Sequence, residues 1–224
     1  MGRGSSKLGG GSTGLYKGLH IEGSAGQYQK QADEIVKGTK DVLKDFGFEN
    51  EIRGVYFSPK GTLIGGEAAA SVDGFGDLHI STNYLARGNE DSKGYNVSDT
   101  FYGTGTHEAG HIVVNGLLKS VDINPDDTNK STGRAHLERA TARSKGKLEK
   151  AVVKEAKKRY GSNPAISGYG SKNVKEKVAE AVSDVYSNGN KANPYSKEIV
   201  GVLKDIKKGK FKPTIKVSKR EMGI

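Results

Sequence analysis

His107-Glu108-Ala109-Gly110-His111 is the stretch from which the fold of this chain can be worked out. Two imidazoles stand four residues apart, with a carboxylate beside the first. On a helix, positions i and i+4 lie on one face about one turn apart, so both rings can reach a single cation. Glu108 is rotated by roughly 100° from His107, which sets its carboxylate beside such a cation rather than on it. Two neutral nitrogen ligands with an adjacent base are what a hydrolytic zinc site requires. The pentapeptide therefore predicts a helix that carries half of a metal centre.

Composition bounds the rest. A chain of 224 residues fits one domain with extensions, or two small domains. Hydrophobic content is low at 33%, and the 32 glycines cluster in part within the first 26 residues. Absence of Cys excludes disulfides and thiolate ligands, so a zinc ion must be held by His and carboxylates. The N-terminus lacks an apolar signal-peptide region and no run is long enough to span a bilayer. A soluble protein, cytoplasmic where it is made and without a membrane partner, is expected. The net charge of +10 arises largely from Lys154, Lys157, Lys158 and Arg159 and from Lys204 through Arg220. These cations form either a solvated helix face with a basic tail or a contact for nucleic acid or an acidic partner. No aromatic-interleaved motif of a nucleic-acid-binding module accompanies them.

Residues 1–26 read as a flexible Gly/Ser-rich leader, since such sequence cannot offset its ordering entropy. The leader also suggests a module from the C-terminal end of a longer polypeptide. Tyr28, Ala32, Ile35, Val36, Val42, Leu43 and Phe46 repeat at helical spacing and Gly47 ends the run. Between 51 and 82 the period shortens. Ile52 to Phe57, Thr62 to Ile64, Ala68 to Val72 and Leu78 to Ser81 predict a small, mostly antiparallel sheet. Ser98 or Asp99 should cap the motif helix, which runs to about Leu118. A polar loop at 122–134 precedes one long charged helix over 135–160, with Leu137, Leu148, Val152 and Val153 inward. Further helices are expected over 173–187 and 195–207. The fold class predicted is α+β: a main domain over 27–208, with the small sheet packed on the motif helix and further helices, and a basic C-terminal tail over 209–224.

A catalytic zinc site needs a third protein ligand. His20, His79 and His136 stand in the leader, in a strand and at a helix start, and are better read as surface or packing residues. Val114 and Leu117 occupy the positions where a longer three-histidine motif would continue. Glu176, Glu180 and Asp184 stand four apart and stack three acids in one column. Like charges at that spacing cost a helix a few tenths of a kcal/mol per pair, roughly. A cation facing the column would reverse the penalty.

The segment Tyr169-Gly170-Ser171-Lys172-Asn173-Val174-Lys175-Glu176-Lys177-Val178-Ala179-Glu180-Ala181 resembles the third-ligand segment of the anthrax lethal factor-type zincins. Tyr169, Asn173, Glu176, Ala179, Glu180 and Ala181 fall at the family's spacing, and Gly110 is shared before the second His. The likeness covers about residues 95–205. It departs at Lys177 and Val178, where two Phe are expected, and in a longer stretch between the motifs. Similar domains look to occur in phage structural proteins and secreted toxins, which implies association with a virion or export within a larger polypeptide.

The resemblance implies a zincin-like metallopeptidase domain that hydrolyses protein or peptide substrates with Zn²⁺. It implies His107, His111 and Glu176 as zinc ligands, Glu108 as the base for the attacking water, Glu180 as an acid behind the ligands, and Tyr169 as a hydroxyl donor to the oxyanion. A strand around Leu78 to Ser81 would pair with the substrate backbone. Glu180-Ala181-Val182-Ser183-Asp184 also resembles a thermolysin-like segment, in which Glu180 would be the ligand and Asp184 would stand behind it. The alternative to an enzyme is a structural, DNA-contacting protein of a phage particle with an inactive zincin domain.

Overall fold

A computed structural model of the chain describes residues 14–61, 68–88 and 94–224. The first apolar stripe forms helix α1 (Gln29–Phe46), burying Ile35, Val36, Val42 and Leu43. Gly47 closes it in the left-handed conformation at φ 63°, with its N–H turned back to the Leu43 and Lys44 carbonyls.

Four strands follow the sequence as β1 (His20–Glu22), β2 (Gly54–Ser58), β3 (Ala70–Val72) and β4 (Asp77–Ser81). Their spatial order is β1-β2-β4-β3. β1 pairs with β2 in parallel, β2 with β4 in parallel, and only β3 runs antiparallel to its neighbour β4. The sheet is therefore mixed, not mostly antiparallel. Parallel neighbours need a crossover, and α1 supplies it between β1 and β2. That crossover escapes the sequence because β1 is 3 residues long and lies in the Gly-rich leader. Residues 14–26 are part of the fold: Tyr16 and Ala25 are buried, and the Tyr16 hydroxyl donates to Asp33 over 2.9 Å. The strand expected at Thr62 to Ile64 lies outside the described residues.

A short helix α2 (Thr82–Arg87) leads to α3 (Phe101–Ser120), which carries the opening motif. Thr100, not Ser98 or Asp99, caps α3, accepting the Gly103 N–H on its hydroxyl at 2.9 Å. Ser98 instead shares a hydrogen bond with the Thr100 hydroxyl, and Asp99 accepts the N–H of Gly94. Helix α3 is buried on most sides, and α1 crosses it almost backbone to backbone. A Cβ at Gly105 would stand 1.9 Å from the Ile35 carbonyl oxygen, and one at Gly38 would stand 2.3 Å from that of Tyr102. The Thr39 hydroxyl, buried in this seam, lies 3.0 Å from both the Ile35 and Gly105 carbonyls.

The charged stretch expected as one helix is two, α4 (Thr132–Ser144) and α5 (Lys147–Tyr160). Gly146 breaks it at φ 59°, a left-handed backbone that glycine adopts without steric cost. The break turns Leu137 outward, whereas Leu148 and Val152 stay buried and Val153 packs against the core. Helices α6 (Val174–Asn188) and α7 (Pro194–Lys207) complete the helical layer. The C-terminal basic segment folds back on the body: Ile215, Val217 and Met222 are buried, and α8 (Lys219–Met222) ends it. The described residues thus form an α+β fold of eight helices and a four-stranded sheet. Among them, no helix is long and apolar enough to cross a membrane.

The close crossing makes a testable contrast between two helical glycines. Gly105→Ala must push α1 away and should lower stability by about 1–3 kcal/mol, as overpacking does. Gly201→Ala, where nothing lies within 4 Å of the new carbon, should be neutral or stabilising by about 0.5–1 kcal/mol. Denaturant titration of the two variants checks both signs.

Candidate metal centre

Helices α3 and α6 also meet where side-chain bulk is missing. A Cβ on Gly110 would lie 2.8 Å from the Ala179 Cα and 3.3 Å from the Val182 Cβ. This approach brings His107 and His111, one turn apart on α3, up to Glu176 and Glu180, one turn apart on α6. Asn173 starts α6 by accepting the N–H groups of Lys175 and Glu176 on its side-chain oxygen, which sets Glu176 in the first turn.

His107 is shared between two carboxylates. Its Nε2 lies 3.1 Å from Glu176 Oε2, and its Nδ1 lies 2.8 Å from Glu180 Oε1. His111 Nε2 stands 3.6 Å from the same Glu176 oxygen. One atom from each of His107, His111 and Glu176 falls within a 4.8 Å span, a group that could hold a metal ion. Two imidazoles and a carboxylate, with no thiolate, form a donor set suited to zinc.

Glu180 does a different job. Its Oε2 accepts the Val97 N–H at 2.9 Å and the Ser167 hydroxyl at 2.6 Å, while Oε1 faces His107. A carboxylate bonded in this way only accepts, so Nδ1 of His107 carries a hydrogen, and Nε2 is the nitrogen that could hold a cation once it gives up its own proton. Asp184 is turned elsewhere, accepting from the Asn188 side chain at 2.8 Å and the Asn193 N–H at 2.9 Å. The geometry thus groups Glu176, not Glu180, with the two histidines. His79 lies buried in β4 against the Tyr56 ring, and His20 and His136 are exposed; none of them approaches the group.

Charge follows the same layout. Burial opposes a positive His107, but the hydrogen bonds it donates to Glu176 and Glu180 outweigh that and push its pKa up to about 10. Burial would raise the Glu176 carboxyl; hydrogen bonds from His107 and His111 more than offset that and hold it well below the usual carboxylate range. His107 therefore holds its proton at neutral pH, and a cation bound at Nε2 would have to displace it.

Beside His107 opens a cleft of about 380 Å³, lined by Glu108, Tyr84, Tyr95, Tyr169, Lys172 and Ala68 through Ala70, among others. Tyr169 begins a 3₁₀ turn (Tyr169–Ser171) just before α6. Its N–H bonds the Tyr95 carbonyl at 3.0 Å, and its ring stands edge-on to His107 with centroids 5.4 Å apart. Burial and the negative charges of Glu176, Glu108 and Glu180 push its phenol pKa up, so the hydroxyl keeps its proton. The strand expected to receive a substrate, Leu78 to Ser81, is β4, flanked by β2 and β3, so its backbone is already paired. Among the described strands, β3 is the one that reaches the cleft, through Ala70. Sequence inspection overlooks Ser167, Val97, Tyr95 and Lys172: Val97 acts through its backbone, and the others stand in loops without periodicity.

No family model, curated protein or solved structure matches the chain.

Two measurements test the grouping. Glu176→Ala should abolish stoichiometric zinc uptake, whereas Glu180→Gln should retain it with affinity weakened about 10- to 100-fold, as for other residues that orient a ligating His. The raised His107 pKa stabilises the metal-free fold below the unfolded value of about 6.5, and that contribution is lost as pH rises through about 10. Zinc loading near pH 7 should accordingly release about one proton from His107 and tighten as the pH is raised towards 9 or so. Loading without proton release contradicts the arrangement.

Proposed function

We propose that this protein is a zinc-dependent endopeptidase of the lethal factor zincin type. The observation that carries the proposal is the division of labour around His107. Glu176 and His111 join its Nε2 as a ligand set and Glu180 fixes its Nδ1, while Glu108 and Tyr169 line the adjoining cleft.

Zinc held by His107, His111 and Glu176 would supply a Lewis acid that polarises a peptide carbonyl and acidifies water. The chain's own groups then do the rest. Glu108, one residue beyond the first ligand, accepts a proton from the attacking water and returns it to the leaving amine. Tyr169, kept protonated by its surroundings, donates a hydrogen bond to the oxygen on which charge develops. Glu180 keeps the His107 ring from rotating as charge shifts. β3 (Ala70–Val72), the last of the described strands in the sheet and in reach of the cleft through Ala68 to Ala70, suits an extended substrate backbone laid beside it.

The net charge of +10 supports a second reading, a structural protein that touches DNA through its cationic surface. Binding to generic DNA that weakens steeply with salt, together with no peptide cleavage, would favour it.

Glu108→Gln should keep its zinc and lose peptide cleavage by about 100- to 10,000-fold, measured on a mass-mapped peptide library. Tyr169→Phe should also keep zinc and lose roughly 100-fold or more in kcat. Full activity of Glu108→Gln would remove the mechanism.

A further inference from the structure

Lys172 has no part in the chemistry above, yet it is a positioned cation at the mouth of the cleft. It ends the 3₁₀ turn that begins at Tyr169, its N–H bonding the Tyr169 carbonyl at 3.0 Å, and it directly precedes Asn173, the cap of α6. The ammonium lies 4.1 Å from the centroid of the Tyr169 ring and 5.6 Å from that of Tyr95. The two rings meet edge to face at 6.0 Å, so together they form a corner that cradles the charge. Cation–π contacts of this kind bias a flexible lysine towards one place.

The neighbouring acids have other tasks. Glu180 is occupied by Val97, Ser167 and His107, and Glu176 by the two histidines. Among the described residues no carboxylate lies within ion-pair distance of Lys172. An ammonium held on aromatic faces, next to the Tyr169 ring that touches His107, and lining the same cleft as Glu108, is a receptor for an anionic group of whatever occupies that cleft.

We infer that Lys172 selects substrates by a carboxylate close to the scissile bond. The occupant is an acidic peptide, and the basic character of the whole chain (+10) favours its approach. The carboxylate can come from an Asp or Glu side chain or from a free C-terminus. Selection of this kind rests on the peptidase reading, but the binding preference can be measured without cleavage.

The test uses the zinc-loaded full chain and matched fluorescent peptides. One set carries Asp or Glu, Ala, or Lys beside each candidate bond; a second set carries a free or an amidated C-terminus. Binding is read by anisotropy with Glu108→Gln, and cleavage with the unsubstituted protein. Carboxylate peptides should bind at least about 10-fold tighter than their neutral counterparts, a step of about 1.4 kcal/mol. Lys172→Arg should keep that preference. Lys172→Glu should invert it towards Lys peptides while zinc content stays stoichiometric. A gain limited to the free C-terminus identifies the terminal carboxylate as the ligand, and a gain limited to Asp or Glu identifies the side chain. Equal binding of acidic and neutral peptides, or an unchanged preference in Lys172→Glu, overturns the role of Lys172. Acid-selective binding with no cleavage by the unsubstituted protein would support Lys172 and overturn the peptidase reading instead.

Discussion

The carboxylate of Glu180 is the group around which the site is organised. A buried carboxylate is costly unless its oxygens are satisfied. Here the partners come from three separate places: the Val97 backbone ahead of α3, the Ser167 hydroxyl ahead of α6, and the His107 ring on α3 itself. One side chain thereby ties both cleft-forming loops to the motif helix. Tyr95 and Tyr169, which wall the cleft, belong to those same loops and are joined by a backbone hydrogen bond. The energetic requirement of one buried acid and the shape of the cleft are a single constraint.

That constraint needs two helix backbones in near contact. Gly110 and Ala179 provide the approach between α3 and α6, just as Gly105 and Gly38 provide it between α1 and α3. The motif helix is thus gripped on two faces through missing side chains. Between these faces run polar contacts, with Thr106 bonded to the Gly103 carbonyl and the Ser183 hydroxyl, and Thr39 to the Gly105 carbonyl. Small residues set the spacing and buried hydroxyls fix the register. Side chains presented from such helices have little room to drift, which is what a metal site would require of His107, His111 and Glu176.

Much of this is legible in the amino-acid sequence. The helical period locates α1 and α6, because each buries a stripe of apolar residues and has a local start or stop such as Gly47 or Asn173, and the motif itself locates α3. The histidine pair followed from i, i+4 spacing alone. The choice between Glu176 and Glu180 did not, since residues four apart share a helix face and spacing cannot rank them. What separates them in the structure is that Val97 and Ser167, 83 and 13 residues away along the chain, engage Glu180 and leave Glu176 grouped with the histidines. Sheet topology was illegible for a related reason. β1 has three residues in a Gly-rich setting, and its parallel partner exists only because α1 carries the chain back. The Gly146 break was hidden in a run of charged helix formers, where one glycine usually reads as a tolerated interruption.

The acidic column on α6 shows why a pattern and its meaning are separate matters. Three acids at four-residue spacing repel one another, and a cation bound at their centre looks like the natural remedy. The structure resolves the repulsion differently for each. Glu176 faces two imidazoles, Glu180 collects three donors, and Asp184 accepts from Asn188 and Asn193 at the junction with α7. Asp184 therefore secures the C-terminal end of the helix whose first turn presents Glu176. Both ends of α6 are fixed in this way, and Glu176 is held facing α3. Any cation held there would have to displace the proton that Glu176 and Glu180 hold on His107.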